Sequence, residues 1–372
     1  MNRLTFAALF TLTPQSLAVA QLTLRIADVP SCRECQISLQ PDVRLGTNDG
    51  DGILEGEPSS ITRTNNGVWV ITQFSPPGRA PLLFDSSGTF IRVLGRVGAG
   101  PGEFQHPLYS VAVNESLYVN DLGNARLNVY GPDLAFVRSA QSAIVGQAYP
   151  FTMTKSGHIV ANAIVQTRAA IGHPLHLFSG ELEYIQAFGG GKNPVMPGTA
   201  TKARRRLFPS QSGGVWAAHT LDHIVELYDS HSKLVRRLEG PAVSTPAYIA
   251  PSKERPPFPM TMGVAEDTGA VLWILRVVAD RRWASAVGTR LPQRLGGGSS
   301  PIAVVEKPDL YHDTILEAVD SGTGRLIARR RFDEQLGFLV SPGYVANRVE
   351  DAAGRFFVQT WRFALSTSSQ RR

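Results

Sequence analysis

The sequence predicts an all-β chain, a six-bladed β-propeller of four-stranded antiparallel blades closed by its N-terminal strand. Three observations carry this expectation. A short strand with an aromatic or bulky centre and β-branched or apolar flanks recurs as Val68 to Ile71, Leu117 to Asn120, His158 to Ala161, Val215 to Ala218, Leu272 to Leu275 and Phe356 to Gln359. The centres stand 49, 41, 57, 57 and 84 residues apart; all but the last step are near the roughly 40 to 50 residues of a four-stranded blade. The 35 glycines and 25 prolines fall between these strands rather than in one low-complexity block, as many short strands with sharp connections require. A single unit has a hydrophobic sheet face that it cannot bury alone, so each implies neighbours of its own kind.

Taken in order, residues 1–20 read as an export signal. Arg3 gives the positive start, Leu4 to Leu12 a short apolar core, and Ala18-Val19-Ala20 a small-residue cleavage site. The core is interrupted by Pro14 and is too short to span a bilayer, and no later stretch is a membrane-span candidate. The expected location is therefore periplasmic or extracellular. Residues 21–366 form the propeller and 367–372 a polar tail.

Each strand centre follows a turn signal and an inner strand, as in Ile61 to Thr64 before Asn65-Asn66-Gly67, or Tyr344 to Val349 before Asp351 to Gly354. Five units continue through polar turns such as Asp85 to Gly88 and Asp229 to Ser232 into a fourth strand. The sixth lacks that continuation. Leu22 to Ala27 and Gln36 to Leu45, within residues 21–56, are expected to pair with the C-terminal strands and cover their edge. The wide last spacing is assigned to an insertion over residues 288–311, which contains Gly296-Gly297-Gly298-Ser299-Ser300.

The stretch Gly95 to Tyr130 carries the strongest pattern: GRVGAGPGEFQHP, then LYSVAVNESLYVNDLGNARLNVY. It resembles the NHL-repeat family of β-propellers, in which a Gly-rich segment ending in Pro precedes a strand and a "YVAD..N.R..VF"-like run. The resemblance implies a propeller and matches Asp121 to the family's acidic position. Asn120 replaces the small residue before it, and the other blades lack that aspartate, so no activity is transferred.

Lys and Arg number 37 against 31 Asp and Glu, a formal charge of +6 that becomes +5 if Arg3 leaves with the signal. A modestly basic exported protein can meet anionic polymers, lipid head groups or acidic ligands. No basic helix or aromatic-basic stripe points to nucleic acid. Cys32 and Cys35 are the two cysteines, and in an oxidising compartment the pair is expected to form a local disulfide. A redox role would want a helix start, whereas Gln36 to Leu45 reads as a strand.

In antiparallel four-stranded blades, first-to-second and third-to-fourth turns lie on one face, and second-to-third loops and blade links on the other. The second class holds nearly every long connection: Phe74 to Pro81, Gly95 to Pro107, Arg168 to Pro174, Gly189 to Ala203, Gly240 to Pro259 and Gly288 to Tyr311. Long loops on a rigid scaffold are where binding concentrates. Three residues beyond the strand centres, running out towards this face, stand Thr72, Asp121, Asn162, His219, Arg276 and Thr360. Structure needs only uncharged groups there, which makes Asp121, His219 and Arg276 the leading pocket candidates, although Asp121 could equally fix a turn.

The basic run Lys202, Arg204, Arg205 and Arg206 leads into the fourth unit. Alternation sends Arg204 and Arg206 one way and Arg205 the other. Arg206 with Arg276 is a candidate anion-binding pair.

The first function expected is an exported scaffold that holds a peptide, glycan or small anionic ligand at the channel mouth, with no cofactor. The alternative is a metal-dependent hydrolase or lyase. Its zinc would take His106, His219 and His223, as in lyases resembling this family, or its calcium would take Glu57, Asn162 and Asp121, as in gluconolactonase-type propellers. No compact metal motif supports either set, since His219 and His223 are not in the helical HExxH arrangement. No Gly-x-Ser-x-Gly elbow or phosphate-binding loop before a helix occurs.

Overall fold

The computed structural model describes residues 22–74, 79–141, 150–163, 171–190, 200–242, 250–290 and 301–367. The expected signal over residues 1–20, nearly all of the polar tail and the glycine run Gly296 to Gly298 lie outside them.

Six four-stranded sheets follow one another along the chain. Blade 1 comprises Pro58–Arg63, Trp69–Gln73, Leu82–Phe84 and Phe90–Val93; blade 2, Pro107–Val113, Ser116–Asp121, Arg126–Tyr130 and Phe136–Gln141. Blade 3 comprises Phe151–Met153, Ile159–Asn162, Leu175–Phe178 and Tyr184–Phe188; blade 4, Arg205–Pro209, Val215–His219, Ile224–Tyr228 and Leu234–Glu239. Blade 5 comprises Met260–Glu266, Val271–Ala279, His312–Asp320 and Leu326–Phe332. Blade 6 comprises Phe338–Ser341, Tyr344–Glu350, Phe356–Ser366 and, as its outermost strand, Gln36–Leu45. The inner strands touch in sequence, and that of blade 6 meets that of blade 1, which closes the ring around a central channel.

The recurring bulky centre explains how the blades adhere. Six apolar clusters among the described residues sit one at each interface between neighbours. Trp69 joins blade 1 to blade 6, Trp216 joins blade 4 to blade 5, and Trp273 joins blade 5 to blade 6. Trp69 and Trp216 are essentially sealed from solvent, and a fully buried large apolar side chain contributes about 1.5–3 kcal/mol. The polar turns are capped by aspartates. Asp85 accepts the N–H groups of Ser87 and Thr89 (2.9 Å each), and Asp229 those of His231 and Lys233 (2.9 and 2.8 Å).

Closure by the N-terminal strand is observed: Gln36–Leu45 runs antiparallel to Phe356–Ser366, with Leu39 opposite Phe363. Leu22–Arg25 does something different. It adds a fifth, parallel strand to the outer edge of blade 4, with Leu24 opposite Leu238. Between the two strands, Cys32 and Cys35 form a disulfide, and the N–H groups of Ser31 and Cys32 bond to Leu326 and Ile327 of blade 5. The N-terminal segment thus straps three consecutive blades.

Blade 6 also departs from the expected register. Tyr344–Glu350 is its second strand, not its inner one, and Phe356–Ser366 its third. The inner strand Phe338–Ser341 turns back within two residues, with Ser341 opposite Tyr344. Asp351 accepts from the N–H groups of Ala353 and Arg355 (2.9 and 3.0 Å). That is the aspartate cap found elsewhere on the short-turn face, which is why this second-to-third turn reads as a first-to-second one. The insertion in blade 5 includes a hairpin of Val287–Arg290 with Ile302–Val305.

Candidate functional site

At the ends of the second strands the side chains turn towards neighbouring blades. The Thr72 hydroxyl donates to the Leu108 carbonyl of blade 2 (2.9 Å) and meets Ser59 Oγ (2.9 Å). Asn162 donates to the carbonyls of Pro174 (2.9 Å) and Ala203 (3.1 Å) and accepts from the Arg205 N–H at the start of blade 4 (3.0 Å). Asp121, fully buried, accepts the N–H groups of Gln105 (3.2 Å) and His106 (2.7 Å) and the Asn124 amide (2.6 Å). These contacts fix the Gly-rich lead-in to blade 2. Thr360 lies in a third strand rather than a second one and bonds to Val43 of the closing strand (3.0 Å).

Blades 4 and 5 hold two buried ionic groups. His219 Nε2 stands 3.1 Å from Glu226 Oε2, which also accepts from the Tyr228 hydroxyl (2.8 Å), while Arg237 binds the other oxygen. Burial works against the charge of Glu226, but the bonds from His219 and Tyr228 and the nearby Arg205 outweigh it and hold the carboxyl at about 2. The same burial, reinforced by the Glu226 charge, pushes the Tyr228 phenol well above its ordinary range.

Next to it, His223 Nε2 lies 2.8 Å from Glu317 Oε2, and Arg276 Nη1 lies 3.2 Å from His223 Nδ1. Arg329 Nε donates to Glu317 Oε1 (2.8 Å). Burial opposes the Glu317 charge, yet His223, Arg276 and Arg329 together hold its carboxyl below the usual range. Burial also lowers the Arg276 guanidinium. These groups tie the two blades together beneath the long-loop face.

The metal-ligand sets are not brought together. His106 Nε2 meets the Phe74 carbonyl (3.1 Å), His219 faces Glu226, His223 faces Glu317, and Glu57 pairs with Arg348. Among the described residues no group of three His, Cys, Asp or Glu side chains is disposed to hold a metal.

The central channel has a different character, with a cavity volume of about 600 Å³, inside the range of small-molecule sites. Hydroxyls line one wall, where Thr62 and Ser60 converge on Ser110 (2.8 and 3.0 Å). The opposing wall presents Phe208, Met262, Val264 and Leu339. No carboxylate lines it among the described residues, but Arg63 and Arg206 do.

Alternation along the blade 4 inner strand buries Arg205 in the sheet and leaves Arg206 to the channel. Burial lowers the Arg206 guanidinium, and its Nε has no hydrogen-bond partner among the described residues. Arg63 stacks over Tyr344 (4.5 Å) and Trp69 (5.5 Å), also with an unpartnered Nε. The channel therefore joins Arg206 to Arg63, not to Arg276. An arginine ending the first inner strand was the available sequence signal, but strand pattern alone does not say which inner-strand side chains meet across a ring.

No family model matches the sequence, and no curated protein sequence matches it. Solved structures do resemble it. A candidate exported protein of Bacteroides fragilis is 11% identical, over 92% of this chain and 99% of the other, with a TM-score of 0.52. A DUF4221 family member of Bacteroides vulgatus is 10% identical over 90% and 99%, with a TM-score of 0.57. The virginiamycin B lyase of Staphylococcus aureus is 9% identical over 88% and 99%, with a TM-score of 0.46. At these identities the two Bacteroides likenesses are of fold alone, and they agree with the six sheets of this chain, a six-bladed propeller.

Proposed function

We propose that this chain is an exported propeller that binds a small anionic molecule in its central channel, with Arg206 as the principal contact. The observation that carries the reading is an arginine, partly exposed, on the wall of a cavity that no described carboxylate lines. A guanidinium on a cavity wall with no described acid beside it favours an anion that bonds to it. Export is supported by the Cys32–Cys35 disulfide, since such bonds persist in oxidising compartments. The blade 2 motif supports an NHL-type kinship within the propellers, in which Asp121 anchors the Gly-rich segment through the N–H groups of Gln105 and His106.

The test is titration calorimetry and thermal-shift measurement with inorganic phosphate, citrate and decanoate. At least one should bind and raise the midpoint of the native chain, with the effect weakening as salt rises, and Arg206→Gln should abolish it. Absence of binding by all three, with identical behaviour of Arg206→Gln, would overturn the reading.

A further inference from the structure

Arg206 and Arg63 enter the channel at different levels. The inner strands of blades 1 and 4 reach equivalent five-residue turns, Arg63 opposite Trp69 and Pro209 opposite Val215, each followed by the same backbone bond, Thr64 to Val68 and Ser210 to Gly214. Arg63 is therefore level with Pro209, three residues further along the axis than Arg206. At about 3.3 Å per residue this separates the two backbones by roughly 10 Å along the channel. Blades 1 and 4 are also opposite one another in a ring of six.

Arg206 thus stands towards the long-loop mouth on one wall and Arg63 towards the short-turn end on the other. Between them the lining divides lengthwise into the Ser60, Thr62 and Ser110 hydroxyls, which largely satisfy one another, and the apolar Phe208, Met262 and Leu339. A compact anion reaches one guanidinium and leaves the other and the apolar wall unused. Neither arginine forms an ion pair with a described carboxylate.

We infer that the channel selects an elongated, two-headed acid: an apolar body along the Phe208 and Leu339 wall, one anionic end on Arg206 and the other on Arg63. This rests on the channel reading above and narrows it to a ligand class. The aromatic rings beneath Arg63 hold its guanidinium in place, so little side-chain freedom is lost when an acid docks there.

The experiment uses the full chain and measures Kd for butanedioate, octanedioate, decanedioate and decanoate. One of the long diacids should bind about tenfold or more tighter than both butanedioate and decanoate, the increment of one added charge-assisted contact. Arg63→Gln should erase the advantage of the diacid over decanoate. Arg63→Lys, which retains the charge if the glutamine variant folds poorly, should restore part of it. Equal affinity of decanoate and the long diacids, with both dependent on Arg206, would overturn the two-headed ligand and leave the channel reading standing. No binding by any of the four acids, with Arg206→Gln indistinguishable from the native chain, would overturn both.

Discussion

Replacing Glu226 by Gln tests whether the blade 4 ionic group is a stabilising element of the ring. The carboxyl is held at about 2 rather than at its ordinary 4.5, which corresponds to roughly 3 kcal/mol of native-state preference for the charged form at neutral pH. A group with a depressed native pKa contributes fully above its unfolded value and loses that contribution as pH falls towards the native one. The loss therefore begins near pH 4.5, leaves roughly 1.5 kcal/mol at pH 3 and is nearly complete below pH 2. The amide keeps the shape of the side chain but leaves Arg237 and His219 facing a neutral group. Urea unfolding of the native chain and Glu226→Gln at pH 7 and pH 3 should show a deficit of about 3 kcal/mol at pH 7, roughly halved at pH 3. A deficit that is absent at pH 7, or of the same size at both pH values, would refute the assignment.

Three further outcomes are expected. Asp121→Asn should lower stability by about 1–3 kcal/mol by weakening charge-assisted bonds from the lead-in to blade 2, while calorimetric anion affinity in the channel stays unchanged. Gly240→Ala places a methyl against the His223 imidazole; crowding of this kind costs about 1–3 kcal/mol, read as a lower urea midpoint. Cys32→Ser with Cys35→Ser should cost about 2 kcal/mol, as expected for a very short closed loop, and the midpoint of the double variant should be insensitive to dithiothreitol.

The architecture was legible because each interface between blades needs a large apolar side chain at one repeated position. Trp69, Trp216 and Trp273 advertise it in the sequence. Blade 6 was misread because Asp351 caps a second-to-third turn with chemistry used elsewhere on the opposite face, and because Phe356 and Phe357 fit a third strand as well as a second. The site was less legible. Thr72 and Asn162 sit where strands run out towards the long-loop face, but there the neighbouring blade is within hydrogen-bonding reach, and linking blades occupies their polar atoms. Arg206 could be found by alternation. Arg63 could not, because its relation to Arg206 exists only across the ring, and residues far apart in the chain leave no periodic trace of sharing a cavity.

The strand Gln36–Leu45 has a consequence for biogenesis. Its partner lies at the far end of the polypeptide: Ser38 donates to Ala364 across a sequence separation of 326. Blades 1 to 5 can each fold from strands near one another in the sequence, but Gln36–Leu45 must wait, unpaired, for Phe356–Ser366. Until Phe356–Ser366 is made, Gln36–Leu45 is an unpaired strand open to wrong partners. A chain cut before Phe356 would leave Gln36–Leu45 without its partner strand and the wheel unlocked.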